Sequence, residues 1–262
     1  MPPLIRFAFA LPWAVGAAAA LAAPDWSRIP AREITVFHPG ATSVEWLASG
    51  HPGASVLKSG QPCIVCHETK TGLDYSAKRL APREPDVQAM PRTVSFPVSV
   101  QAALDKGTLS VRLAFKPPAD APRGRDAAHE LKAALMLLDD QVPQAAQAGC
   151  WATCHQDLRG MPGGDPKKGK YVGAGRFELL QWTSGKAAAQ PAGVQVASTQ
   201  EGGRTVVTFS RQLGGAAVAG RSVPFGIAIH ANHAAGRLHY VSLGYRLALG
   251  EGVAGEVQAL GR

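Results

Sequence analysis

Residues 93–115 read TVSFPVSVQAALDKGTLSVRLAF, and this stretch decides the fold. Apolar side chains alternate with polar or small ones over Val94–Val100, and the same period of two returns over Leu109–Phe115. Asp105–Gly107 separates the two runs, so the pattern predicts a β-hairpin with one buried face. Because Pro97 has no backbone N–H to donate, we expect the first strand at a sheet edge.

Short runs with strand character continue on both sides of this hairpin. They are Arg32–His38, Lys132–Leu138, Phe177–Trp182, Val194–Ser198, Thr205–Ser210, Val223–His230 and Arg237–Leu249. Glycine-rich turns at Glu201–Gly203 and Ala234–Gly236 join the last two pairs. Helical periodicity is nearly absent, although the capping-box spacing of Thr42–Glu45 predicts a short helix ending near Gly50. The sequence therefore predicts a mainly β fold, an antiparallel β-sandwich.

The composition excludes several classes of protein. At about 150 residues per domain, 262 residues with 46% hydrophobic content are enough for one large domain with a sizeable core. Charged residues make up 18% without a long run of one sign, which argues against a coiled coil or a charged disordered tail. The 29 glycines and 20 prolines have no period, so they indicate turns rather than a collagen-like repeat.

The first 22 residues have the pattern of an export signal. Arg6 precedes an apolar run over Phe7–Leu21, and Ala20–Ala22 offers a small-x-small cleavage site. The run contains Pro12 and is shorter than the stretch of about 20 residues that a membrane span needs. We therefore expect cleavage after Ala22, a periplasmic mature protein and no membrane span in that mature protein.

All four cysteines fall in two short motifs. Cys63–His67 reads CIVCH, and Cys150–His155 reads CWATCH. CxxCH is the pattern of covalent c-type haem attachment, in which two thiols reach the vinyl groups of one porphyrin edge and the adjacent imidazole reaches the iron. Residues i and i+3 or i+4 share one face of a helical turn, so the longer CxxxCH motif can present its sulfurs similarly.

We therefore predict two covalently bound haem c groups. Their attachment residues and proximal iron ligands are Cys63 and Cys66 with His67, and Cys150 and Cys154 with His155. The predicted organisation is a signal peptide over 1–22, an N-terminal loop-and-short-helix segment over 23–90 with the first motif, and a β-sandwich haem-binding domain over 91–262 with the second. Two disulfides, a zinc ion held by four thiolates and a thioredoxin-like dithiol are the alternatives. All three leave the two histidines unexplained.

The distal iron ligands must come from other histidines, a methionine or a lysine. His51 precedes the first motif by 12 residues and is followed by Pro52 and Gly53, so we expect it at the first haem. His239 alternates with apolar residues along the last predicted strand, and an inward imidazole there needs either iron or a backbone carbonyl as its partner.

Three further residues are weaker distal candidates, and the other histidines carry less information. His230 is weaker because it lies on the strand face opposite the apolar Phe225, Ile227 and Ile229. Met161 and Met136 are weaker because methionine is more often a core-packing residue than a ligand. We expect His233 to be solvated in a turn, whereas His38 and His129 have no positional argument in their favour.

Several motifs resemble those of exported dihaem cytochromes c that belong with the ethylbenzene-dehydrogenase-like haem-binding domains. These domains are related to the haem b subunits of molybdenum enzymes of the dimethyl sulfoxide reductase type. The residues that carry the resemblance are Phe37–Gly40, Glu45–Leu47, His51–Ala54 and Cys63–His67, then Gly149–His155 with Asp157 and Met161-Pro162, and finally Pro224–His230 with Arg237–Ser242. The resemblance implies a β-sandwich that holds haem between its sheets. The resemblance implies that the hairpin around Arg237–Ser242 corresponds to the one on which the haem b relatives place an axial lysine, and His239 occupies that neighbourhood here.

The expected function is single-electron transfer through six-coordinate haems rather than enzymatic turnover. The resemblance implies a quinol-oxidising membrane cytochrome and a periplasmic molybdenum-type oxidoreductase as redox partners. The alternative is a haem reductase or oxidase with one open iron site. Four haem propionates would lower the charge of the mature chain to about +3, so the formal charge of +8 is poor support for nucleic-acid binding.

Overall fold

The computed structural model describes residues 23–39, 51–68, 91–138, 145–149, 177–185, 187, 189–213, 220–236 and 238–261. Within these residues the chain is mainly β, which confirms the predicted fold class. The strands are β1 (Arg32–Phe37), β2 (Ser95–Asp105), β3 (Thr108–Phe115), β4 (Lys132–Leu138), β5 (Phe177–Thr183), β6 (Val194–Glu201), β7 (Arg204–Gln212), β8 (Arg221–His230), β9 (Tyr240–Ser242), β10 (Tyr245–Leu249) and β11 (Val257–Leu260). The helices are a 3-10 turn (Trp26–Arg28), α1 (Ala54–Lys58), α2 (Ile64–His67) and α3 (Ala145–Ala148).

These strands form one large sheet in which β2 and β8 are the organising members. Strand β2 pairs with β3 on one side and with β1 and β11 on the other, while β8 pairs with β4 on one side and with β9 and β10 on the other. The short strands β1 with β9, and β10 with β11, bridge the two halves. Strands β5 and β6, at opposite ends of the pairing order, contact each other, so the sheet folds back over a common core.

The core forms where the buried faces of the strands meet. Its largest fully buried side chains are Tyr240, Tyr245, Phe37, Phe115, Phe209, Phe225, Ile34, Leu113, Leu135, Met136, Leu180 and Ile227. Removing one such side chain from water is worth about 1.5–3 kcal/mol. Part of the first motif segment packs on the same core, because Leu57, Cys63 and Ile64 contact it while only partly buried.

The hairpin at 93–115 forms as β2 and β3, but two details of the prediction were wrong. Strand β3 is buried on both faces, with only Arg112 less than fully buried. Strand β2 also lies inside the sheet rather than at its edge. Pro97 is tolerated because it faces Thr35 of β1 at a position between hydrogen-bonded pairs, and because the β3 ladder begins only at Val98.

The predicted strand over Arg237–Leu249 is broken into β9 and β10 at Leu243 and Gly244. The backbone N–H of Gly244 donates to the carbonyl oxygen of Gln147 in α3, at 3.1 Å, instead of to a neighbouring strand. Helix α3 also packs against β8 and β10. A continuous period of two in the sequence cannot reveal such a break, because the partner that causes it is almost 100 residues away.

The closing strand β11 was not predicted, and it makes the sheet mixed. It pairs parallel with both β10 and β2, whereas the sequence had indicated antiparallel pairing throughout. The remaining predicted strands form within a few residues of their expected bounds. The helix predicted from the capping box at Thr42–Glu45 lies outside the described residues.

Gly149 provides a test of how closely α3 approaches the strand break. Gly149 has φ +54°, and a Cβ there would lie 2.7 Å from the carbonyl oxygen of Leu243, whereas Gly202 has φ +56° and open space around it. Both G149A and G202A place an alanine in the left-handed backbone region, which costs free energy in each variant. Only in G149A must the new Cβ also push the backbone of Leu243 and Gly244 away. We expect G149A to lower the free energy of unfolding in urea by about 1–3 kcal/mol more than G202A. Equal losses in the two variants would contradict this close approach.

Candidate haem-binding site

The first cysteine motif lies on a single helical turn. Cys63 precedes α2, and its carbonyl oxygen accepts from the backbone N–H groups of Cys66, at 3.2 Å, and His67, at 3.1 Å. This turn places positions i, i+3 and i+4 on one side. The two cysteines are not joined by a disulfide. Cys63 is partly buried against the core, and this burial raises the pKa of its thiol to about 11, while Cys66 is exposed.

The imidazole ring of His51 lies near that of His67, the last residue of this motif. The ring centroids of the two imidazoles are 5.8 Å apart, with 34° between their planes. A metal–imidazole nitrogen bond is about 2.0 Å long, so two imidazoles on opposite sides of one iron have centroids about 6 Å apart. The separation of His51 and His67 therefore fits a pair of ligands to one iron. The neighbouring thiols of Cys63 and Cys66 are the groups that would form the thioether bonds of a covalently attached haem.

The ring of His51 is oriented by the residues that follow it. The backbone N–H of Gly53 donates to Nδ1 of His51 at 3.0 Å. A Cβ on residue 53 would lie 2.8 Å from Cε1 of that ring, so only glycine leaves room for this ring position. The carbonyl oxygen of His51 accepts from the backbone N–H of Ala54 at 3.0 Å, which joins the histidine to the start of α1.

An ion pair fixes the end of α2 to the sheet. Glu68, which caps α2 directly after His67, pairs with Arg32 at the start of β1, with 2.9 Å between Nη2 and Oε2. Burial raises the pKa of Tyr245 strongly, and the carboxylate of Glu68 raises it further. The candidate iron ligand His67 is therefore followed immediately by a residue that is ion-paired with β1 and whose charge influences the first residue of β10.

A second group of histidines lies at the opposite end of β9. The ring of His239 is buried and stacks on His230, with centroids 4.9 Å apart and 25° between planes. His230 donates from Nε2 to the carbonyl oxygen of Gly236 at 3.0 Å, and desolvation lowers its pKa. His38, buried to 1% exposure, donates from Nδ1 to the carbonyl oxygen of His239 at 3.0 Å.

The other predicted site residues are either elsewhere or outside the described part of the chain. Met136 lies in the middle of β4, 2% exposed within the hydrophobic core and opposite Gly226 of β8. His233 is exposed in the turn after β8, as expected. Cys150, Cys154, His155 and Met161 lie outside the described residues, although α3 ends one residue before Gly149 and the second motif follows directly in sequence.

Sequence reasoning missed three residues that organise this region. His38 was set aside because nothing in its neighbourhood singles it out, yet it supports the backbone of His239. The sequence could have drawn attention to Glu68 only through its position next to the predicted ligand His67. It could have drawn attention to Gln147 only because this residue is the one polar side chain in the alanine-rich stretch AAQA.

Two known proteins are similar to this chain over most of its length, and no established family model matches it. Cytochrome c-551 of Rhodocyclus tenuis is 76% identical over 238 residues, which are 90% of this chain and 99% of that protein. Cytochrome c-552 of Stutzerimonas stutzeri is 34% identical over 261 residues, covering 88% of this chain and 89% of that protein.

A CxxCH turn with an imidazole opposite its histidine is the ligand set of a protein that binds haem covalently. At these identities and coverages, the chain belongs to the family of c-type cytochromes. Its function is accordingly electron transfer with redox partners, through covalently bound c-type haem. The narrower assignment to ethylbenzene-dehydrogenase-like domains, which the motifs imply, is supported by neither relative's name. Within the described residues, the helices are too short to cross a membrane.

The support that His38 gives to His239 can be measured as stability. Replacing His38 with leucine leaves a buried carbonyl without this donor, so we expect H38L to lower the free energy of unfolding by about 1–3 kcal/mol. His129 makes the same type of bond, from Nδ1 to the carbonyl oxygen of Ser184 at 2.9 Å, but it is only partly buried and water can replace it. H129L is the matched control, and a loss as large as that of H38L would show that burial does not set the cost.

Proposed function

We propose that this chain is an exported dihaem c-type cytochrome that transfers single electrons between respiratory redox partners, with both irons six-coordinate. The observation that carries the proposal is the pairing of His51 with His67 beside Cys63 and Cys66. A filled sixth position excludes a substrate from the iron, so this ligand set favours an electron carrier over an enzyme.

At the first haem, each residue of the site has a separate task. Cys63 and Cys66 would attach the porphyrin, His67 would serve as the proximal ligand and His51 as the distal ligand. Ligation through Nε2 of His51 would place the ring proton on Nδ1, so the ring would exchange its present contact with the N–H of Gly53 for one with an acceptor. The haem supplies a one-electron couple between ferric and ferrous iron.

At the second haem, we assign attachment to Cys150 and Cys154 and proximal ligation to His155. His239 is our first candidate for the distal ligand, because it is buried and its backbone is held by His38. His230 is a weaker candidate, since its Nε2 is engaged by Gly236. Met136 and Met161 remain weaker still, and the core position of Met136 is equally typical of a packing residue.

Export of the chain to the periplasm is supported by the sequence and by the length of one relative. The 238 matched residues are 99% of cytochrome c-551, so that protein has about 240 residues, which is the length of this chain after the proposed cleavage at Ala22. Partners in that compartment would be a quinol-oxidising membrane cytochrome on one side and a molybdenum-type oxidoreductase on the other.

The first experiment is the visible spectrum of the dithionite-reduced protein, before and after addition of carbon monoxide. We expect a sharp c-type α-band that carbon monoxide leaves unchanged, because each iron has protein ligands on both faces. A marked shift of the Soret band in the native protein would instead indicate an open iron, and it would favour a haem enzyme that acts on a small molecule.

Single histidine variants test each distal assignment by the same spectrum. We expect H51A to bind carbon monoxide at one of two haems, because removal of His51 opens the sixth position opposite His67. H239A should open the other haem. The exposed His233 is the control position, and H233A should leave the spectrum unchanged in carbon monoxide. Failure of H51A to bind carbon monoxide would remove His51 from the ligand set.

Cysteine variants test the number of haems. We expect the double variants C63A/C66A and C150A/C154A each to carry half the covalent haem of the native protein, because each motif attaches one group. Intact mass and the pyridine haemochrome absorbance per chain give the count. Unchanged haem content in C150A/C154A would show that the longer motif attaches none.

A further inference from the structure

We infer that Gln147 is the positioning residue that holds the end of α1 and the residues before the first motif against the point of the sheet from which the chain enters the second motif. The inference rests on the proposed dihaem function and deepens it. It gives a role in haem spacing to a residue that neither ligates iron nor attaches porphyrin.

The side chain of Gln147 joins two parts of the first motif segment. Its Nε2 donates to the carbonyl oxygen of Leu57 at 2.9 Å and to that of Gln61 at 3.0 Å. Both partners can only accept, so the atom that faces them must be the amide nitrogen with its two hydrogens. Leu57 lies in the last turn of α1, where its carbonyl oxygen also accepts from the backbone N–H of Gly60 at 3.0 Å, and Gln61 lies two residues before Cys63.

The backbone of the same residue is attached to the sheet. The carbonyl oxygen of Gln147 accepts from the N–H of Gly244 at the break between β9 and β10. Gly149, two residues later, lies against the backbone of Leu243 and Gly244. Cys150 follows Gly149 in the sequence, so the chain enters the second motif from a point that Gln147 has already fixed to the sheet.

The environment of Gln147 makes these bonds effective. The residue is 9% exposed, so water cannot readily replace its two hydrogen bonds, and a buried polar group that loses its partner is costly. A single side chain thus links the residues just before the first motif with the residues just before the second. Electron exchange between two haems would depend on their separation, and among the described residues Gln147 links the approach to the first motif with the approach to the second.

The test compares Q147L with a matched control, Q101L, in the full-length haem-loaded protein. Gln101 is 7% exposed and also donates from Nε2 to two backbone carbonyls, those of Trp26 and Ile29, while its Oε1 accepts from Arg112; it lies in β2 and contacts neither α1 nor the residues before Cys63. Leucine is used rather than methionine because a thioether could itself bind iron. If Q147L does not yield soluble protein, Q147N serves instead, since its amide is one methylene too short for both carbonyls.

Two readouts separate positioning from general stability. In Q147L we expect hydrogen exchange of the backbone amides over 54–61 to become at least about tenfold faster, while Q101L leaves this segment unchanged. We also expect the magnetic interaction between the two oxidised haems, measured by electron paramagnetic resonance, to be weaker in Q147L and unchanged in Q101L.

The haem count of each sample distinguishes failure of the inference from failure of the proposed function. Two haems in Q147L with unchanged exchange and unchanged magnetic interaction would overturn the inference alone. Equal effects in Q147L and Q101L would also overturn it, because they would show a general loss of stability. A single haem in the native protein would overturn the dihaem proposal and the inference together.

Discussion

The break between β9 and β10 at Leu243 and Gly244 is the constraint on which the rest of this structure depends. A continuous strand would direct the N–H of Gly244 along the sheet, whereas here it binds the carbonyl oxygen of Gln147 in α3. This bond holds helix α3 against the sheet, and Gly149 can approach the backbone of Leu243 because it has no Cβ. The position where the chain enters the second motif follows from this one interruption.

The segment that carries the first motif is held against the sheet by an ion pair and by side-chain amide hydrogen bonds. Glu68 follows His67, pairs with Arg32 and faces Tyr245, the residue after the break. Gln147 binds the carbonyl oxygens of Leu57 and Gln61 on the other side of the motif. Ionic and amide contacts therefore hold both ends of the segment from 57 to 68 against one region of the sheet. Contacts beyond the ligands are what orient metal-binding side chains in proteins.

The histidines divide into proposed ligands and structural supports, and burial with hydrogen bonding distinguishes the two groups. His67 ends the short helix α2 and His51 lies just before α1, at a separation that suits iron between them. His38 instead uses its ring to hold the backbone of His239, which stacks on His230 beside the last strands. The residue type is the same throughout, and its role comes from the partner that the fold places opposite it.

The sequence by itself determined the fold class, the positions of most strands and the haem chemistry. Alternation over 93–115 and the spacing of Cys63, Cys66 and His67 are local properties, and local sterics are enough to express them. Only the tertiary structure decided that β2 is interior despite Pro97, that the last strand is broken, and that Gln147 joins α3 to the residues before the first motif. Each of these depends on a hydrogen-bond partner distant in sequence, and a one-dimensional pattern does not encode which distant group will meet a given N–H or C=O.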